Sequence, residues 1–157
     1  MYVKTIKYKG FDGEDLEETI RLNLTEAEVM NLDAKYSQFG GLMNYIRKLL
    51  TDVKDGELQW SPLYILLRTI ILASYGRRTE DGRFVKKIYG APLADEFESS
   101  EAFSVFIIEL LKSMVNEKDT SEFDAFMLGV FPVGEDGATK IAAERERLKA
   151  NMIYEVK

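Results

Sequence analysis

The side chains that most often carry out catalysis are missing from this sequence. It contains 27 aspartate and glutamate residues but no histidine and no cysteine. A Ser-His-Asp triad, a Cys-His pair, a thiolate metal site and a disulfide are therefore excluded. Acid–base chemistry would need two carboxylates facing each other across a cleft, as in glycosidases, and no spacing in the chain indicates such a pair. We expect a protein that is not an enzyme and that uses no cofactor.

Loops that bind metal ions or phosphate groups are not recognisable in the sequence. The acidic run within residues 12–18 lacks the order of ligands, central glycine and closing glutamate of a calcium loop. There is no GxxxxGK[ST] motif, and Gly40 and Gly41 form an isolated pair. We interpret the acidic run as an exposed turn and expect no metal site.

A cluster of cations interrupts this acidic chain, whose net charge is −6. Its members are Arg77, Arg78, Arg83, Lys86 and Lys87. They could bind an anion or an acidic partner. The more ordinary interpretation is a solvated loop whose charges stabilise the C-terminal end of the helix before it. Nearby aromatic residues allow a similar choice between a core cluster and a ligand pocket: Tyr64, Tyr75, Phe84, Phe97, Phe103 and Phe106.

The helix before these cations is predicted to be the centre of the fold. Residues 60–76, WSPLYILLRTIILASYG, are apolar on nearly every side. Ser61 fits the N-cap, Pro62 the first helical position, and Gly76 a left-handed C-terminal residue. The run is too short to span a bilayer and carries Arg68 near its middle. We therefore expect a buried central helix over residues 61–75.

The rest of the chain predicts a hairpin followed by helices. Residues 2–8 and 17–24 favour strands around a turn-rich segment, and together they form a hairpin over residues 2–24. Thr25 and Glu28 form a capping box, and helical spacing recurs through the following segments. The predicted fold is α+β, mostly α, with the hairpin packed on a bundle of about five helices. We expect one globular domain over residues 1–132 (helices within 25–132) and a C-terminal helical tail over residues 133–157.

Composition narrows the partners of this domain. The net charge of −6 argues against nucleic-acid binding, which depends on neutralising phosphates. No segment has transmembrane length, and the N-terminus MYVKTIKYKG lacks the apolar core of a signal peptide. We expect no membrane association and a chain that stays in the compartment where it is made.

The order of these motifs resembles the tail assembly chaperones of long-tailed, siphovirus-type bacteriophages. The resemblance runs roughly from residue 2 to residue 131. The motifs that carry it are IRLNLTEAE at 20–28, ASYG at 73–76, the charged turn at 77–82, RFVK at 83–86, Phe97 with the SSEAF that follows, and Glu109 with Leu110. The family often has tyrosine at the helix opening where this chain has Phe103.

The resemblance implies a non-enzymatic function in the cytoplasm of the infected host. Members bind the tape measure protein, keep it soluble while the tail is built, and are absent from the finished tail. The tail tube protein and a second copy of the chain are further candidate partners. A virion structural or head–tail connector subunit is the alternative. We expect partner contacts where the central helix meets the charged loop, at Tyr75, Gly76, Arg77, Arg78, Arg83, Phe84 and Lys86.

Overall fold

The computed structural model describes residues 1–54, 56, 59–116 and 118–132. It confirms an α+β fold that is mostly helical, with an N-terminal β-hairpin followed by about six helices. The helical tail predicted for residues 133–157 lies outside the described residues.

Within the described residues, six strands form two sheets. They are β1 (Tyr2–Lys9), β2 (Asp15–Leu22), β3 (Tyr75–Arg78), β4 (Phe84–Val85), β5 (Lys87–Ile88) and β6 (Ala91–Pro92). The first four form an antiparallel sheet in the order β1-β2-β3-β4, and β5 pairs with β6 in a separate hairpin. The predicted N-terminal hairpin is thus extended by the chain that leaves the central helix.

The helices lie within residues 25–132, the segment predicted to be helical. They are α1 (Glu26–Lys35), α2 (Leu42–Lys54), α3 (Trp60–Ser74), α4 (Leu93–Glu98), α5 (Glu101–Val115) and α6 (Ser121–Val130), with a 3-10 turn at Ser37–Phe39. Thr25 and Glu28 form the predicted capping box at the start of α1. Ser100 caps α5 by accepting a hydrogen bond from the Phe103 backbone N–H.

Helix α3 is central, but its ends differ from the prediction. It begins at Trp60 with Gln59 as its N-cap, so Ser61 and Pro62 are its second and third residues. Pro62 is tolerated there because the N–H groups of the first turn have no intrahelical acceptor. Gly76 is not a left-handed terminator. The chain passes directly from α3 into β3, where Gly76 pairs with Arg21.

The core lies between the sheet and the helices α3, α5 and α6. The α3 residues that face it are Leu63, Leu66, Leu67, Ile70, Ile71 and Ser74, all buried. At the β1 end, the rings of Tyr2, Phe106 and Phe126 pack against one another with centroids 5.7–6.1 Å apart. The Tyr2 hydroxyl donates to the Glu122 carboxylate at 2.9 Å. Burial and this carboxylate raise the pKa of Tyr2 well above its ordinary value, so the hydroxyl keeps its proton.

Candidate functional site

The seven residues predicted to contact a partner lie where α3 meets β3 and β4, and the structure divides them into internal and exposed groups. Tyr75 belongs to the internal group, because its ring is 9% exposed and stacks on Phe97 with centroids 4.2 Å apart. Burial raises the pKa of Tyr75. A tyrosine covered in this way supports the junction from beneath and presents little of its own surface to solvent.

Gly76 and Phe84 form the next internal contact. A Cβ atom at Gly76 would lie 2.6 Å from the Val85 carbonyl oxygen and 2.7 Å from the Phe84 ring. The ring therefore packs directly against the glycine backbone, and Phe84 is half-buried. Glycine is required here by the close approach of β4 to β3.

Lys86, which follows β4, forms hydrogen bonds with helices α1 and α3. Its Nζ donates to both carboxylate oxygens of Glu28 at 2.6 Å and to the Ala73 carbonyl at 2.8 Å. Ala73 lies in the last turn of α3, where carbonyl groups lack intrahelical donors. Burial raises the pKa of Glu28, but hydrogen bonds from Lys86 and Thr25 outweigh it and hold that pKa below its usual value. The loop cation thus neutralises the end of α3, as one of the two sequence interpretations has it.

The remaining cations of the junction are exposed. Arg83 forms an ion pair of 2.8 Å with Asp81, its neighbour in the β3–β4 turn. Arg77 and Arg78 are exposed on β3 and line an open groove of about 460 Å³. The other residues of this groove are Glu18, Thr19, Ile20, Arg21, Tyr75, Gly76, Thr79 and Glu80. Its charge is mixed, so it suits a polar segment that carries charges of both signs.

The groove exists because β3 separates from β2. In the described chain the ladder between these strands consists of Leu22–Tyr75 and Arg21–Gly76. Beyond it, Arg77 and Arg78 pair with β4 instead. The alternation of an antiparallel ladder turns the backbone groups of Thr19 toward the gap. The opening therefore has polar backbone on its β2 side and arginine side chains on its β3 side.

A second exposed surface was missed in the sequence. On α3, Trp60 is 52% exposed, Tyr64 38% and Ile65 57%. We call these three residues the α3 apolar face. The sequence pattern suggested a helix covered on all sides, because apolar residues surround its axis. Ser61, Arg68 and Thr69 could have revealed the exposed side, since 100° per residue places them close to Ile65 on the helical wheel.

A groove adjoins the N-terminal part of α3. It has a volume of about 250 Å³ and is lined by Phe39, Tyr45, Lys48, Leu49, Asp52, Gln59, Pro62 and Leu63. The Tyr45 ring stacks on Tyr36 at 4.7 Å and lies 4.5 Å from Phe39. Lys48 and Asp52 form an ion pair at its polar margin. This combination of an aromatic floor and a charged margin resembles protein-binding grooves more than a catalytic cleft.

Neither metal-ligand clusters nor membrane helices stand out in the described ranges. Within residues 1–54, 56, 59–116 and 118–132, no group of three or more acidic, histidine or cysteine side chains could hold a metal ion. Over the same residues, no helix combines the length and apolar character needed to cross a bilayer.

The chain matches the model of a known protein family. A family model described as "Phage tail assembly chaperone" matches residues 1–154, nearly the whole chain. The match continues past residue 131, where the motif resemblance ends, and includes most of the segment after Pro132. No curated protein and no solved structure matches the chain.

Proposed function

Because the chain belongs to the phage tail assembly chaperone family, we propose that it binds the tape measure protein and keeps it soluble while the tail is assembled. This function is non-enzymatic and is carried out in the cytoplasm of the infected host cell. The chain would cover apolar surface of the client that would otherwise cause the client to self-associate.

The observation that carries this proposal is the α3 apolar face. Tryptophan and tyrosine dominate the energetics of protein interfaces, and Trp60 and Tyr64 are both half-exposed on a rigid, central helix. The aromatic groove beside them adds concave surface. An amphipathic client helix could place its apolar stripe along these residues, as helices bind in the grooves of other adaptor proteins.

The α3–β3–β4 junction supplies a second proposed contact. Arg77 and Arg78 are accessible to charged client residues, and Arg83 is accessible beside its Asp81 partner. Tyr75, Gly76, Phe84 and Lys86 hold the strands that present them. Exposed charges of this kind accelerate association more than they raise affinity. The tail tube protein and a second copy of the chain are further candidate partners for this surface.

Co-expression with the tape measure protein of the same phage tests the proposal. With the native chain, we expect the tape measure protein in the soluble fraction. A variant with Trp60, Tyr64 and Ile65 replaced by glutamine should lose the client to the pellet, since glutamine preserves helix propensity but removes apolar surface. Its melting temperature should stay close to that of the native chain, because these side chains contribute little to the core.

A matched control replaces exposed apolar residues on other helices. Ile108 of α5 is 45% exposed and Leu128 of α6 is 40% exposed. The variant with both residues replaced by glutamine should retain the soluble client. An insoluble client in the presence of the native chain would refute the proposed function. Equal solubility with the native chain and the α3-face variant would show that the client binds elsewhere.

A further inference from the structure

The hairpin of β5 and β6 projects an aromatic side chain into solvent. Lys87 pairs with Pro92 and Ile88 with Ala91, which leaves Tyr89 and Gly90 at the turn. Tyr89 is fully exposed, and Ile88 beside it is 37% exposed. The tip is therefore a small convex apolar surface, and the described part of the chain does not cover it.

The backbone of this turn is unfavourable for tyrosine. Tyr89 has φ = 51° and Gly90 has φ = 78°, so both central residues of the hairpin turn are left-handed. Asparagine, aspartate and glycine are the residues that such two-residue turns favour. Among the described residues, Tyr89 is the only non-glycine with positive φ. Residues in sparsely populated backbone conformations cluster at ligand clamps and switch regions, so the exposed Tyr89 motivates a functional hypothesis.

The base of the hairpin is fixed to the domain. The Leu93 backbone N–H donates to the Lys86 carbonyl at 2.9 Å, and the Leu93 side chain is only 8% exposed. Lys86 is itself held by Glu28 and Ala73. A tip on a fixed base loses little conformational freedom when it binds, which favours affinity.

The positive charge beside the tip indicates what kind of partner surface would bind it. Residues 84–92, from β4 to the end of the hairpin, carry Lys86 and Lys87 and no acidic side chain, and Lys86 is paired with Glu28. Lys87, next to the tip, is exposed. A convex apolar tip with a cationic base is complementary to a concave apolar pocket with an acidic rim.

We propose that the β5–β6 hairpin is a docking element and that the Tyr89 ring inserts into an acid-rimmed apolar pocket of the client protein. The inference rests on the proposed function, which supplies the tape measure protein as the client. It uses different residues from the α3 apolar face, so the two surfaces can be tested separately. Tyr89 acts as an anchor, and Lys87 pairs with the acidic rim.

Three substitutions test the anchor in the complex of the full chain with the tape measure protein. Displacement of each tagged variant by untagged native chain reports its dissociation. Tyr89→Asn should weaken binding about tenfold or more, as loss of an interface anchor does. Its melting temperature should rise or stay unchanged, because asparagine accepts left-handed φ. Tyr89→Phe should bind nearly as well as the native chain. Lys87→Glu should leave the displacement rate nearly unchanged and slow association, which the rate of complex formation after mixing measures.

Phe11 provides a matched control, because it is also fully exposed in a hairpin turn. Phe11→Asn should leave the displacement rate unchanged. A photo-reactive benzoylphenylalanine at position 89 should crosslink to apolar peptides of the tape measure protein, and the same group at position 11 should not. Unchanged binding by Tyr89→Asn, or a crosslink from position 89 to a second copy of the chain, would overturn the inference.

The two proposals fail in different ways. A soluble client with no crosslink from position 89 contradicts the proposed role of Tyr89 as an anchor and is consistent with the chaperone function. An insoluble client that still crosslinks to position 89 contradicts the chaperone function and supports Tyr89 as the anchor. An insoluble client without that crosslink contradicts both.

Discussion

The close contacts around Gly76 leave no room for a side chain at this position. The Val85 carbonyl oxygen and the Phe84 ring both occupy the space that a side chain would need. Gly76→Ala should therefore lower the free energy of unfolding by about 1–3 kcal/mol, a typical cost of overpacking. Denaturant unfolding of both proteins measures this difference.

A second substitution separates the two contacts at this position. Phe84→Ala removes the ring but leaves the Val85 carbonyl in place. The alanine at position 76 should then cost less than in the native background, while remaining destabilising. If Gly76→Ala unfolds at the same denaturant concentration as the native chain, the close approach of β4 is not rigid.

Residue roles were predictable where partners are close in sequence. The capping box of Thr25 and Glu28 spans three positions and was predicted correctly. Lys86 bonds to Glu28, 58 positions away, and no local pattern shows this pairing. Gly76 looked like a helix terminator because glycine fits both a left-handed turn and a close contact. Only the fold distinguishes these two uses.

Helix α3 has one face in the core and one in solvent, and the two faces should respond differently to truncation. Leu66 is 1% exposed and Ile65 is 57% exposed. Leu66→Ala should cost about 2–5 kcal/mol of unfolding free energy, because it leaves a cavity in the core. Ile65→Ala, one position away, should change stability by about 0.5 kcal/mol or less. Equal effects in thermal or denaturant unfolding would contradict the orientation of the helix.

Lys86, between β4 and β5, bonds to Glu28 of α1 and to the Ala73 carbonyl of α3. The ion pair with Glu28 should make the free energy of unfolding depend on pH. The pKa of Glu28 is lower in the folded chain than its ordinary value of 4.5, because Lys86 and Thr25 donate to the carboxylate. The ion pair therefore contributes fully above pH 4.5, and its contribution falls as the pH drops from there through the folded pKa. Unfolding free energies measured across this acidic range should decline with falling pH.

Replacing Glu28 with glutamine isolates this contribution. Glutamine can still complete a capping box, so Glu28→Gln removes the charge and keeps the cap. The variant should lose less stability on acidification than the native chain. Some dependence should persist, because the pKa of Glu122 is also lowered by hydrogen bonds from Lys4 and Tyr2 that outweigh its burial. Glu26→Gln, at an exposed position of the same turn, is the control. Identical pH profiles for Glu28→Gln and the native chain would refute this role of the ion pair.

Elements were predictable from local periodicity, whereas their exposure was not. Alternation predicted the hairpin, the capping box predicted the start of α1, and helical spacing predicted that the chain after them is mostly helical. The α3 apolar face was missed because the apolar pattern does not show which neighbours cover a helix. The pairing of β3 with β2 was also missed, since it joins segments more than 50 positions apart. These contacts depend on the arrangement of the whole domain.

The size of the exposed apolar surfaces indicates whether the chain forms a transient complex or stays in the phage particle as a permanent subunit. The α3 apolar face and the tip of the β5–β6 hairpin together present five large apolar side chains: Trp60, Tyr64, Ile65, Ile88 and Tyr89. Small interfaces of this kind suit reversible complexes, whereas permanent subunits bury larger and more continuous apolar surface. This argument favours a chaperone over a virion structural or head–tail connector subunit.

Mass spectrometry of purified virions distinguishes these two functions. We expect the chain to be abundant in lysates of infected cells and absent from the particles, because the proposed function requires a reversible complex with the client. The tail tube protein serves as the internal standard for recovery. Finding this chain in the particles at a comparable copy number would contradict the chaperone function and support the structural alternative. Its apolar surfaces would then be buried against neighbouring subunits, and the glutamine variant of the α3 apolar face should block assembly while leaving the solubility of the client unchanged.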